Sequence, residues 1–145
     1  VTPTPLLPDF EEFHARCGRG NLVPVYTELS ADYETPVSAF QKINDGSHCF
    51  LLESAENTTH AGRYSFVGSQ PRIIFQARDH EVTIQENGET REFTSESDPL
   101  KDLEELMSQF SPVGDDELPA FYGGAVGYLS YDAVRYFEPT VPAPP

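Results

Sequence analysis

Residues 81–86 and 91–94, joined through Asn87-Gly88, constrain the fold of this chain more than any other stretch. Asn and Gly tolerate the positive φ angles of a type I′ turn, and that turn matches the right-handed twist of paired strands. A β-hairpin is predicted, and antiparallel pairing with it. Further strand-like runs lie at residues 22–29, 48–54, 63–67, 72–78 and 120–130. Pro24 marks the first of these as an edge, because proline has no N–H to give to a central ladder.

Three helices are signalled between these runs. Asp9 caps a first helix with Glu12 three residues on as a capping box; Phe10, Phe13 and Cys17 share its apolar face and Gly18 ends it. Thr35-Pro36 opens a second that turns Val37, Phe40 and Ile43 inward before Asn44-Asp45-Gly46 stops it. Asp98-Pro99 opens the third, where Leu100, Leu103, Leu106, Met107 and Phe110 recur at helical spacing. A short fourth helix is expected over residues 131–137. Strands with interspersed helices but no regular alternation predict an α+β fold with a mainly antiparallel sheet and three or four helices, rather than a doubly wound one.

A length of 145 residues suits one domain with a core of its own. Nine Lys plus Arg against 24 Asp plus Glu give a net charge of −15, which repels a phosphate backbone and excludes nucleic acid as a partner. The sequence holds no apolar run long enough for a membrane span and no signal-peptide pattern, so no membrane partner and a cytoplasmic location are expected. Two cysteines, Cys17 and Cys49, are too few for a disulfide framework and are expected reduced and buried. The start at Val1 and the four prolines in residues 139–145 fit a domain over 1–138, followed by a Pro-rich linker and cut from a longer protein.

The usual catalytic constellations are missing. His14, His48, His60 and His80 are scattered and no Cys-x-x-Cys occurs, so no metal site is expected. Ser54, Ser65 and Ser130 lack a nucleophile-elbow frame, and His80 between Asp79 and Glu81 reads as a solvated turn. No catalytic residue is assigned. Gly123-Gly124-Ala125-Val126-Gly127 matches neither the dinucleotide nor the P-loop spacing and reads as a bulge or a close backbone approach. Asn57-Thr58-Thr59 reads as a polar loop, and Gly114-Asp115-Asp116-Glu117 as a solvated connection.

One strand end differs from these. Phe50-Leu51-Leu52-Glu53-Ser54 closes an apolar run with a carboxylate and a hydroxyl, and Gly62-Arg63-Tyr64-Ser65-Phe66 returns after a short polar loop. Such an edge offers a free amino acid an acceptor for its ammonium and donors for its carboxylate. The aromatics Tyr64, Phe66, Tyr122 and Tyr128 read first as core, and second as the wall of an aromatic pocket.

Four stretches in order, Asn21-Leu22-Val23-Pro24-Val25-Tyr26, Phe50 to Ser54, Gly62-Arg63-Tyr64-Ser65-Phe66-Val67-Gly68, and Phe121 to Tyr128 with Tyr131, Asp132 and Arg135, resemble the amino-terminal region of anthranilate synthase component I. The resemblance implies a part of that family's β-sandwich fold. It implies a parent that converts chorismate to anthranilate with magnesium, on a carboxy-terminal chorismate-binding domain, with ammonia from a glutamine amidotransferase subunit. The amino-terminal region itself is then non-catalytic, has no cofactor, and carries the feedback site for L-tryptophan. Leu51-Leu52-Glu53-Ser54 matches the family's inhibitor motif, so Glu53 and Ser54 are carried over as ligand-binding residues, with Arg63 as the nearest basic side chain after the loop. Inhibition would arise if tryptophan favours an arrangement that binds chorismate poorly. Aminodeoxychorismate synthase component I, a stand-alone amino-acid-binding module and a subunit-docking module stay open as alternatives.

Overall fold

Turn chemistry builds the larger sheet. In the computed structural model, residues 4–53, 64–138 and 140–141 are described. Strand β4 (Glu81–Glu86) turns into β5 (Glu89–Thr94) through Asn87 at φ 53° and Gly88 at φ 82°. Pairing begins at Glu86 with Glu89, so β5 starts two residues before the expected 91. Strand β3 (Ile73–Arg78) reaches β4 through Asp79-His80, with Asp79 at φ 52°, which gives an antiparallel sheet of order β3-β4-β5. Alternation along β4 buries Val82 and Ile84, which stand opposite Ala77 and Phe75 on one side and Phe93 and Arg91 on the other. A second antiparallel sheet pairs β1 (Phe50–Glu53) with β2 (Ser65–Gly68). The α+β class and the antiparallel pairing are as expected.

The helices start where the caps predict. Helix α1 (Phe10–Arg16) begins at Asp9, whose carboxylate accepts from the Glu12 amide at 2.9 Å. Glu12 does not complete the expected reciprocal box; its carboxylate takes the Arg16 guanidinium instead. The expected apolar face is covered only at Phe13, which is half-buried, while Phe10 is 80% exposed and Cys17 is exposed. Cys49 is half-buried, donating to Asn44 Oδ1 at 3.3 Å, so neither free thiol is the buried hydrophobe expected.

Helix α2 (Pro36–Ile43) has a full capping box between Thr35 and Ser38 and packs on β1 and β2. Phe40 is half-buried, whereas Val37 and Ile43 stay largely exposed. Helix α3 (Pro99–Ser108) is capped by Asp98, which accepts from the Leu100 amide at 2.9 Å, and Pro99 is fully buried. Leu100, Leu103 and Leu106 are half-buried, and Phe110, beyond the helix end, lies under the Arg72 guanidinium at 6.0 Å. A 3₁₀ turn (Tyr131–Ala133) leads into α4 (Val134–Phe137), over the span where the fourth helix is predicted.

Two expected strands do not form. Residues 22–29 make only isolated bridges, Leu22 with Pro112 and Leu7 with Tyr26, because Pro24 interrupts the donors that a ladder needs. Residues 120–130 join no ladder among the described residues, and Gly124 at φ 134° departs from strand geometry.

The amino-terminal third is fastened to the segment after α3 by polar contacts. The Asn21 side-chain amide donates to Gln109 O at 2.7 Å and its oxygen accepts from the Ser111 amide at 2.6 Å, while the Val113 amide donates to Leu22 O at 2.8 Å. Gly20 lets the two backbones close: a Cβ there would lie 2.3 Å from Ser111 O and 2.9 Å from a Val113 methyl. Further along, Arg16 bonds Asp115 at 2.5 Å and Glu12 at 2.6 Å, with the Asp115 side chain 6% exposed. Tyr26 donates to Glu117 at 3.1 Å. The acidic run 114–117 is thus a partner of α1 and not the simple solvated connection expected. Bonding to Arg16 holds the Asp115 carboxyl below the usual carboxylate range, and Asp115 with Glu12 raises Arg16 in return. Desolvation first, then the bond to Glu117, raises Tyr26.

The core is small for the chain. The buried apolar side chains among the described residues include Val82, Ile84, Val113 and Ala133, with Pro99 beside them. Full burial of one such valine contributes about 1.5–3 kcal/mol. The accessible surface is 11825 Å² for 16.1 kDa. A compact monomer of that mass exposes about 7,400 Å².

Gly20→Ala is expected to destabilise the fold by about 1–3 kcal/mol, because backbone atoms and not a movable side chain oppose the new methyl; equilibrium denaturation in urea measures it, and an unchanged midpoint contradicts the packing described. Arg16→Ala is expected to lower the thermal midpoint at pH 7. Asp115 has a depressed folded pKa, so its contribution is present above the unfolded value of about 3.9 and is lost as pH falls through the folded value. The gap between wild type and variant in thermal scans should therefore shrink below about pH 4.

Candidate functional site

The β1–β2 hairpin carries the strand end singled out in the sequence. Its register pairs Phe50 with Gly68, Leu51 with Val67, Leu52 with Phe66 and Glu53 with Ser65. Gly68 leaves room for its partner, since a Cβ there would lie 2.4 Å from the Phe50 ring. Local hydrogen bonds fix the approach to β1. The Asp45 carboxylate accepts from the Ser47 hydroxyl at 2.6 Å and its amide at 3.0 Å. The Ser47 hydroxyl first, its amide next, and also the Gln70 side chain just past β2 hold Asp45 below its ordinary range. Glu34, ahead of α2, is lowered by Lys42 and then by Ser38.

Glu53 is the last residue of β1 and is exposed. Ser54, Arg63 and the loop between them, including the Asn57 sequon and His60, lie outside the described residues. Paired residues share a face, so Glu53 stands with Leu51, Ser65 and Val67, while Phe50, Leu52, Phe66 and Gly68 occupy the other. Tyr64 and Phe66 are 6.2 Å apart between ring centroids, and Phe66 meets Phe121 edge to face at 5.1 Å. The hairpin therefore brings a carboxylate and an aromatic row to the same end but on opposite faces. Of the aromatics expected to be core, Tyr122 is 41% exposed with its hydroxyl 3.5 Å from Val113 O, and Tyr128 is 93% exposed. Phe121, which the sequence placed in the fourth family-like stretch but not among the pocket aromatics, joins the row.

A cleft of about 580 Å³ lies elsewhere, between α1 and residues 114–117, lined by Glu12, Arg16, Arg19, Tyr26, Asp115 and Glu117 among others. Arg16, Asp115 and Tyr26 there are engaged with one another or with Glu12 and Glu117, which makes the cleft a structural seam. His80 lies on the exposed β3–β4 turn, its ring 6.3 Å from that of Tyr136. Arg135 pairs with Asp79 at 3.2 Å, and the Tyr136 hydroxyl donates to Asp79 O, so this turn anchors α4 as well as facing solvent. Burial, with Asp79 second, raises Tyr136. Among the described residues, no three His, Cys, Asp or Glu side chains are grouped to hold a metal ion, and no helix is long and apolar enough to cross a membrane.

Comparison with known proteins adds a different kind of observation. The chain is 42% identical over 120 residues to anthranilate synthase component 1 of Aquifex aeolicus, covering 82% of this chain and 24% of that protein. Proteins of the same description from Acetivibrio thermocellus and Synechocystis are 38% and 40% identical over 138 and 137 residues, each covering 93% of this chain and 28% and 27% of theirs. The chain thus spans about a quarter of the length of these relatives. No protein-family model matches it, and no solved structure does. The order of motifs, the extent of the match and the identity agree: this chain is a homologue of the amino-terminal region of anthranilate synthase component 1, related over most of its own length and about a quarter of theirs.

Proposed function

We propose that the chain is the amino-terminal, tryptophan-sensing part of an anthranilate synthase component 1, and that it regulates chemistry carried out by the rest of a longer protein. The observation that carries this reading is the relatedness over most of the chain to proteins of that name. The parent reaction is the conversion of chorismate to anthranilate, with ammonia delivered by a glutamine amidotransferase subunit, in the cytoplasm. By the family resemblance, the magnesium of that reaction is assigned to the carboxy-terminal, chorismate-binding part.

Glu53 supplies the acceptor. An exposed carboxylate at a strand end is open to the ammonium of L-tryptophan, and charge-assisted bonds of this kind are the stronger ones. The Ser54 hydroxyl and Arg63 are assigned the polar and carboxylate ends of the ligand. Glu53 and the Tyr64–Phe66–Phe121 row face opposite ways, which assigns the indole wall to the Glu53 face and not to that row. Inhibition follows if tryptophan binds more tightly to the arrangement of the two parts that has low affinity for chorismate.

In the full-length protein, Glu53→Ala is expected to raise the tryptophan concentration for half-inhibition about tenfold or more while leaving the uninhibited rate largely intact. Ser54→Ala should act in the same direction. Anthranilate formation from chorismate and ammonia, followed by fluorescence across a tryptophan series, measures both; unchanged inhibition in the two variants contradicts the site.

A further inference from the structure

Helix α3 and strand β5 border a cleft of about 360 Å³, lined by Arg91, Phe93, Asp102, Glu105 and Leu106 among others. It shares no lining residue with the seam beside α1 or with the β1–β2 hairpin. The register of β5 places a cation there. Arg91 pairs with Ile84 and Phe93 with Val82, so both stand on the face of the sheet where those two are buried, while Glu92 belongs to the other face. Arg91 is exposed, with its guanidinium 5.2 Å from the Phe93 ring centroid, and it makes no ion pair among the described residues. Helix α3 contributes Asp102 and, three residues on along the same helical face, Glu105. Asp102 Oδ2 is buried and has no hydrogen-bond partner among the described residues. A carboxylate oxygen taken out of water without a donor is costly, and a donor brought by a ligand relieves that cost.

We infer that this cleft binds a free apolar α-amino acid, with its ammonium on Asp102 and Glu105, its carboxylate on Arg91, and its side chain against Phe93 and Leu106. The charges select that class. A plain anion meets the two carboxylates of α3, and a plain cation meets Arg91; a small zwitterion gives each of the three side chains an opposite charge. The guanidinium fork suits a carboxylate, and the ammonium supplies the donor that Asp102 lacks. The apolar part follows from Phe93 and Leu106, both half-buried at the wall. The volume lies within the roughly 300–1,000 Å³ of small-molecule sites. This site is separate from the one proposed at Glu53 and does not depend on it.

Titration calorimetry on the full-length protein, with L-phenylalanine as the probe, tests this. Binding is expected to weaken about tenfold or more in Asp102→Asn and in Arg91→Ala, and to persist in Glu53→Ala. Phenylpropionate, which lacks the ammonium, and phenethylamine, which lacks the carboxylate, are each expected to bind about tenfold or more weakly than L-phenylalanine. Asp102→Asn is also expected to raise the urea midpoint of the ligand-free protein, because it removes a charge with a buried, unpartnered oxygen; lost binding is then separated from lost folding. Binding that Glu53→Ala abolishes and Asp102→Asn leaves intact belongs to the strand end and overturns the cleft site. No binding of L-phenylalanine, or equal binding of phenethylamine, overturns it too, and each of these results leaves the tryptophan-sensing proposal standing.

Discussion

Strand β4 is paired on both edges, and the burial of Val82 and Ile84 on its inward face is the constraint that the larger sheet depends on. The turns on either side are set by residues that accept positive φ, Asp79 in one and Asn87-Gly88 in the other, so register is set by local turn chemistry. Val113 and Ala133, later in the chain, are buried as well. Beyond that centre, polar fastening takes over: Asn21 against Gln109 and Ser111, and Arg16 against Asp115. Such contacts position segments but remove little apolar surface from water, which is why so many large apolar side chains remain exposed.

What was legible in the sequence divides along the same line. The caps Asp9, Thr35 and Asp98, the Asn87-Gly88 turn and the α+β class follow from chemistry within a few residues, and the structure has each of them. Residues 22–29 and 120–130 also carry strand-like composition, yet a strand needs a free edge as well as a pattern, and the pattern is silent on where an edge is. Cys17 and Phe10 misled for a related reason: periodicity marks an apolar face but not whether anything covers it. The Arg16–Asp115 pair joins residues 99 apart and leaves no local trace.

The candidate site shares this division. Its position at the end of β1 follows from the apolar run that stops at Glu53, and the structure keeps that carboxylate exposed. The facing of the aromatics did not follow, because it depends on the register of β1 with β2. Ser54 and Arg63 lie outside the described residues, so their roles rest on the family resemblance and on the chemistry of an amino-acid ligand. The hairpin that carries Glu53 meets the glycine-rich segment through Phe66 and Phe121, whose rings lie 5.1 Å apart.

A photoreactive L-tryptophan analogue, cross-linked to the full-length protein and mapped by mass spectrometry, tests the central claim most directly. Labelling within residues 50–66, suppressed by excess L-tryptophan, is the predicted result. Labelling that excess L-tryptophan suppresses but that falls entirely outside those residues would contradict a tryptophan site at the end of β1.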